Sequence, residues 1–169
     1  MVSQWGNVWF LESKANMDLR GHYLNLVEYE KWANNLWLDF VDSAILLPNG
    51  GQFVARSDEW MTHIIGCYLR WFDALTGDST ELTGDHRQDL KNQVKRMAKF
   101  TETCDFEEVR QRTWPEYGTY EWRTGQIIYH ALSHGMYHRG HIRAIAEELG
   151  LTDWPDTDFC DFTGIKISS

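Results

Sequence analysis

Cysteine, proline, positive charge and long apolar runs are all scarce in this chain of 169 residues, and each shortage excludes something. The three cysteines, Cys67, Cys104 and Cys160, are odd in number and widely scattered. They form neither a disulfide framework nor a CxxC metal knuckle, and they suit a reducing, cytoplasmic setting. No apolar run approaches the roughly 18 residues of a membrane span, so no membrane is expected as a partner. Met1 to Lys14 holds no basic stretch followed by an apolar one and does not read as a signal peptide. Lysine and arginine total 16 against 25 acidic residues, a net charge of −9. That balance repels phosphate backbones and argues against nucleic-acid binding. What the chain does have is aromatic bulk: 9 Trp, 7 Tyr and 8 Phe, ample for the core of one domain spanning 1–169.

The three prolines, Pro48, Pro115 and Pro155, all fall at breaks between segments of helical periodicity. The first segment runs from about Asn16 to Ala44, behind an N-terminal extension of residues 1–15. Its seam is Leu19, Tyr23, Leu26, Ala33, Trp37, Phe40 and Ala44, with Glu30 the one polar intruder. The turn Leu47-Pro48-Asn49-Gly50-Gly51 ends it. A second helix is predicted to start after Ser57 as N-cap, with Trp60, Ile64, Cys67, Trp71 and Ala74 inward and Gly77 closing it. A third spans roughly Gly84 to Cys104 with Leu90, Val94, Met97 and Thr101 inward; Lys91, Lys95, Arg96 and Lys99 form a solvated face. A long connection, about 105–123, holds Pro115 and Gly118, and periodicity leaves open whether it is a short helix or a hairpin. The fourth helix runs from Thr124 to a C′ glycine at Gly150, followed by an acidic tail, 151–169, with Asp153, Asp156, Asp158 and Asp161. Four amphipathic helices in one small domain predict an all-α, four-helix bundle with its long connection between helices 3 and 4.

The fourth helix breaks the apolar rule where it should be strictest. Positions 131, 134, 138, 141 and 145 alternate steps of three and four, the spacing of an inward seam, yet three of them are His134, His138 and His141. Imidazole fills a core poorly unless its nitrogens are satisfied. Residues four apart on a helix have Cβ atoms roughly 5–6 Å apart, which suits two ligands on one ion. Most catalytic zinc-like sites take three protein ligands. His63, about 40° around the second helix from the seam position Cys67, is the natural third. A lone histidine on a helix face is ordinarily a surface or satisfied core residue, and three on one seam are harder to read that way. There is no HExxH, and no carboxylate stands three residues before any histidine, so the ferritin-like di-iron pattern is missing.

Further residues stay open on spacing alone. His130 precedes His134 by one turn, and exposure or simple packing is its plainest reading. Cys67 is a soft ligand or a buried thiol. Glu30, the one carboxylate on a seam, hydrogen-bonds an imidazole, accepts a proton, or yields its place to Tyr29 by a slight rotation. Arg139 points away from the histidine face. Trp5, Trp9, Trp114, Trp122 and Trp154 lie outside the seams and are candidates for a pocket or dimer contact.

The stretch His134-Gly135-Met136-Tyr137-His138-Arg139-Gly140-His141 resembles the H-x-x-x-H-R-G-Q signature of the DinB/YfiT-like metalloprotein superfamily. Thr62-His63-Ile64-Ile65 followed by Trp71, and Tyr29-Glu30-Lys31-Trp32-Ala33-Asn34, which is similar to its Y-N-x-W-A-N, extend the likeness over most of the chain. The resemblance implies a four-helix bundle, often homodimeric, with a divalent metal held by His63, His134 and His138. Zinc and nickel are the leading ions, with iron, copper and manganese also admitted. It implies thiol-dependent S-transferases and isomerases using low-molecular-weight thiols such as bacillithiol or mycothiol, with a hydrolase using water as the nearby variant. His141 stands where the family has Gln, and Glu30 where it often has Asn. His141 is thus an outer-shell donor, a fourth ligand or a substituted core residue, and with Glu30 it is a candidate for proton relay in catalysis. A non-catalytic metalloprotein remains the other reading.

Overall fold

In the computed structural model, residues 18–116 and 118–164 are described, together with every side chain among them except that of Trp114. The extension 1–15 with Trp5 and Trp9, the expected helix start at Asn16 and the last five residues lie outside that range. The molecule is mostly helical, with one small antiparallel sheet.

Helix α1 spans Leu19–Ala44, where Asp18 caps it by accepting from the Gly21 amide at 2.6 Å. Its inward side carries Leu26, Val27, Ala33, Trp37 and Phe40, with Glu30 and Asn34 fully buried among them. Leu19, expected inward, is exposed.

The turn after α1 is shorter than the sequence suggests. Helix α2 spans Gly50–Thr76, so the expected N-cap Ser57 lies inside it, fully buried, donating to the Val54 carbonyl. The cause is local. Asn49 takes the left-handed conformation (φ 63°) and hands the chain directly into a new helix. Gly50 fits because a Cβ there would run into the Ala44 carbonyl. The buried seam is Phe53, Ser57, Met61, Ile64, Tyr68, Phe72 and Leu75, rotated one residue from the expected one. Trp60 and Trp71 are therefore half-buried at its margin and Ala74 is exposed. Gly77 (φ 74°) ends the helix as expected.

Helix α3, His86–Thr101, starts on Asp85, which accepts from the Gln88 amide, and buries Leu90, Val94, Met97 and Thr101 as the spacing predicts. Arg96 departs from the expected solvated face: half-buried, it bonds Asp73 at 2.5 Å and Thr76 at 2.6 Å, tying α3 to α2.

The long connection is a hairpin, β1 (Val109–Trp114) paired antiparallel with β2 (Gly118–Arg123). Gly118 supplies the positive φ (91°) that the tight link requires. The hairpin delivers the chain into α4, Thr124–Glu148, whose first amides are held by the connection: Thr124 donates to Glu108 and Gly125 to Phe106. At the far end Gly150 takes a positive φ (72°) and Leu151 donates back to Ala146, as a C′ glycine allows.

Helices α3 and α4 each pack against both α1 and α2 around one continuous apolar core. The acidic tail folds back on α1. Thr157 accepts from the Tyr29 hydroxyl (2.6 Å) and the Trp37 indole (3.3 Å), and the short helix α5, Phe159–Thr163, packs its phenylalanines on Tyr29 and Trp32. No helix among the described residues is long and apolar enough to cross a membrane.

Candidate metal centre

The pairing of α2 with α4 brings together three of the seven histidines. His63, His134 and His138 each offer a ring nitrogen, and these atoms lie within 4.8 Å of one another. His134 and His138 are closest: their Nε2 atoms are 3.1 Å apart. Two nitrogens each about 2.0–2.1 Å from one ion are separated by less than about 4.2 Å, so the spacing of this pair suits a shared ion. Burial is graded across the trio. His138 is buried, His134 half-buried and His63 exposed, because the rotated seam of α2 leaves position 63 at a solvent-facing margin. The cluster is thus closed behind and open on the α2 side.

The surroundings favour neutral imidazole, the form that binds metals. Burial, followed by the nearby His138, His63, His130 and Arg70, holds His134 down at about 4. Burial, then His63 and His141, lowers His138 as well. The Nδ1 atoms of His134 and His138 are buried without a hydrogen-bond partner among the described residues. Stacking fixes the His138 ring instead. The Trp60 indole lies against His138 (4.9 Å, 21° between planes) and against His141 (4.5 Å, 10°).

The histidine signature and the convergence of its rings now stand together, and the DinB family model matches residues 14–165. The chain belongs to the DinB family. It matches no curated protein and no solved structure.

The other candidates of this DinB-family chain are placed as follows. His141 is outside the nitrogen cluster. Its ring is 5.3 Å from that of His138, stacked on Trp60, and it lines a cleft of about 320 Å³ with Arg56, Glu59 and Glu148. His130 is exposed, edge-on to Trp71 and 5.6 Å from the His134 ring; burial lowers its pKa. Cys67 is buried and outside the cluster, and burial pushes its thiol up to about 11, so it is no thiolate at neutral pH. Trp122 meets Trp71 edge-on at 5.7 Å beside the site, while Trp154 lies under the Arg143 guanidinium.

Glu30 is engaged behind the site rather than at it. Its carboxylate accepts from Arg139 (2.7 and 2.8 Å), from Tyr68 (2.6 Å) and from Asn34 (3.3 Å). Burial opposes the Arg139 charge, but Glu30 more than offsets this and holds the guanidinium protonated above its usual value. Burial and the Glu30 charge raise Tyr68, which stays a donor. Gly135, one turn from both His138 and Arg139, admits this network: a Cβ there would run into Glu30 Oε2 and the Tyr68 hydroxyl. Arg139 does point away from the histidine face, but into the interior. The sequence held two signals for this network, Glu30 and Asn34 one turn apart on α1 and a glycine inside the α4 motif.

Proposed function

We propose that the protein is a metal-dependent enzyme in which His63, His134 and His138 hold a divalent ion, zinc or nickel foremost, and present it to a small thiol or to water. The observation that carries this reading is the convergence of three imidazole nitrogens, one from an exposed ring and two from rings held neutral by burial. When bound, such an ion supplies Lewis acidity that ionises a thiol or a water molecule near neutral pH.

The rest falls to the chain. Neutral His134 and His138, each in its Nδ1–H tautomer, would turn an Nε2 lone pair to the ion. Trp60 stacks on His138 and screens it from solvent, and the exposed edge at His63 leaves the approach for a substrate. His141, between Trp60 and the Arg56–Glu148 cleft, is positioned to exchange protons with solvent and is assigned the relay. Glu30 is assigned a positioning role through Arg139, since its oxygens are already taken. Family membership supports thiol S-transfer with a low-molecular-weight thiol, and hydrolysis is the same arrangement with water in the thiol's place. The reading carries with it a four-helix bundle spanning 1–169, a homodimer and a reducing cytoplasm.

A second reading, an ion that only clamps α2 to α4, is favoured by one observation. Among the described residues, the Nδ1 atoms of His134 and His138 lack the carboxylate or carbonyl partners that ordinarily orient catalytic imidazoles. An assay of the ion-loaded protein with a panel of thiols and monochlorobimane separates the two. Turnover that disappears in His134→Ala is expected; turnover that survives it rules out catalysis at this centre, and no turnover by the ion-loaded protein favours the clamp.

A further inference from the structure

We infer that the cavity between α1, α4 and the C-terminal tail binds a small zwitterion, an α-amino acid with an apolar side chain. It measures about 220 Å³, and none of its lining residues is a histidine of the metal centre. Its α4 wall carries Arg139 and Arg143, and its tail wall carries Asp156 and Asp158. Arg139 is 3% exposed, and its Nη atoms are taken up by Glu30, Asn34 and Tyr29. Its Nε is buried with no hydrogen-bond partner among the described residues. A buried guanidinium N–H is costly to leave unsatisfied, so the cavity calls for an acceptor there. One water would serve that atom alone, yet the cavity equals the bulk share of about seven.

The opposite charges on the two walls face one cavity without pairing across it. Arg139 is matched by Glu30, and Arg143 gives its Nε to Glu147 at 2.9 Å. No oxygen of Asp156 or Asp158 lies within 4.0 Å of either guanidinium, and neither carboxylate has an ion-pair partner among the described residues. Asp161 adds a third carboxylate at the rim: one oxygen from each of the three lies within 4.8 Å of the others. Carboxylates held that close repel one another, and an ammonium among them relieves the repulsion. A plain cation there would leave the Arg139 Nε without an acceptor. A plain anion at that Nε would face the aspartates. A ligand with carboxylate and ammonium on one carbon meets each wall with the opposite charge. Trp37, Met136 and Phe159 complete the lining, which suits an aliphatic side chain better than a sugar or a phosphate.

The test is equilibrium dialysis of the full chain, loaded with zinc, against radiolabelled L-leucine. Saturable binding of one leucine per chain is expected. Isoamylamine, which lacks the carboxylate, and 4-methylpentanoate, which lacks the ammonium, should each compete about tenfold or more less well. Asp156→Asn/Asp158→Asn should weaken binding about tenfold or more. Gly140 lines the cavity and a Cβ there meets nothing within 4 Å, so Gly140→Met should fill the space and abolish binding. Unchanged far-UV circular dichroism and zinc content certify that both variants fold. No saturable binding up to about 10 mM leucine, or isoamylamine competing as well as leucine does, would overturn the proposal. So would leucine binding that both variants leave untouched, or calcium uptake that the double aspartate variant loses in a chain that ignores leucine.

Discussion

His134 shows how burial at one residue sets the chemistry of the centre. Its pKa of about 4 in the folded chain compares with about 6.5 when unfolded. The unfolded ensemble therefore takes up the proton first as pH falls. This ring's contribution to stability is full above about 6.5 and is lost as pH drops towards about 4. The urea midpoint of the ion-free protein should decline over that window more steeply than that of His134→Gln; parallel slopes would contradict the assignment. A second single-residue effect lies behind the site. Removing one partner of a buried ion pair strands the other charge, so Glu30→Gln or Arg139→Met should cost about 3–5 kcal/mol in chemical denaturation. Gly135→Ala should cost about 1–3 kcal/mol, because its methyl must displace Glu30 and Tyr68. A change under about 0.5 kcal/mol in these variants would mean that the network does not hold α1 to α4.

At the scale of the element, the sequence is legible wherever one face repeats without interruption. Helix α3 buries Leu90, Val94, Met97 and Thr101 because nothing competes with its period. The i, i+4 relation of His134 and His138 could be read in the same way, from the geometry of a single helix. Helix α2 was harder to read. Gly50 and Gly51 look like a continued turn, and only the approach of the Ala44 carbonyl shows that Gly50 opens a helix. The hairpin had no apolar alternation to reveal it, since most of its side chains are exposed; the ends of its connection hold it. The Glu30–Arg139 pair spans 109 positions, and no local pattern encodes such a match. The two glycines of α2 yield a paired test. Gly50→Ala should destabilise the protein, whereas Gly51→Ala, whose methyl meets nothing within 4 Å, should stabilise it by about 0.5–1 kcal/mol. Equal effects in thermal melts would mean that the α1–α2 turn is not built as described.

For the whole molecule, the claim is that two helices already packed together share one cation. An ion that binds only the folded chain adds stability by mass action, about 2.7 kcal/mol at a hundredfold excess over its Kd. The melting temperature should therefore rise with zinc or nickel, fall back with chelator, and stay put in His63→Ala. Insensitivity of the native protein to chelator would mean that no ion bridges α2 and α4. X-ray absorption fine structure of the ion-loaded protein tests the centre most directly. Three imidazole nitrogens at about 2.0–2.1 Å, one fewer in His138→Ala, are the result expected. A sulfur scatterer near 2.3 Å, or a shell unchanged by that substitution, would contradict the account.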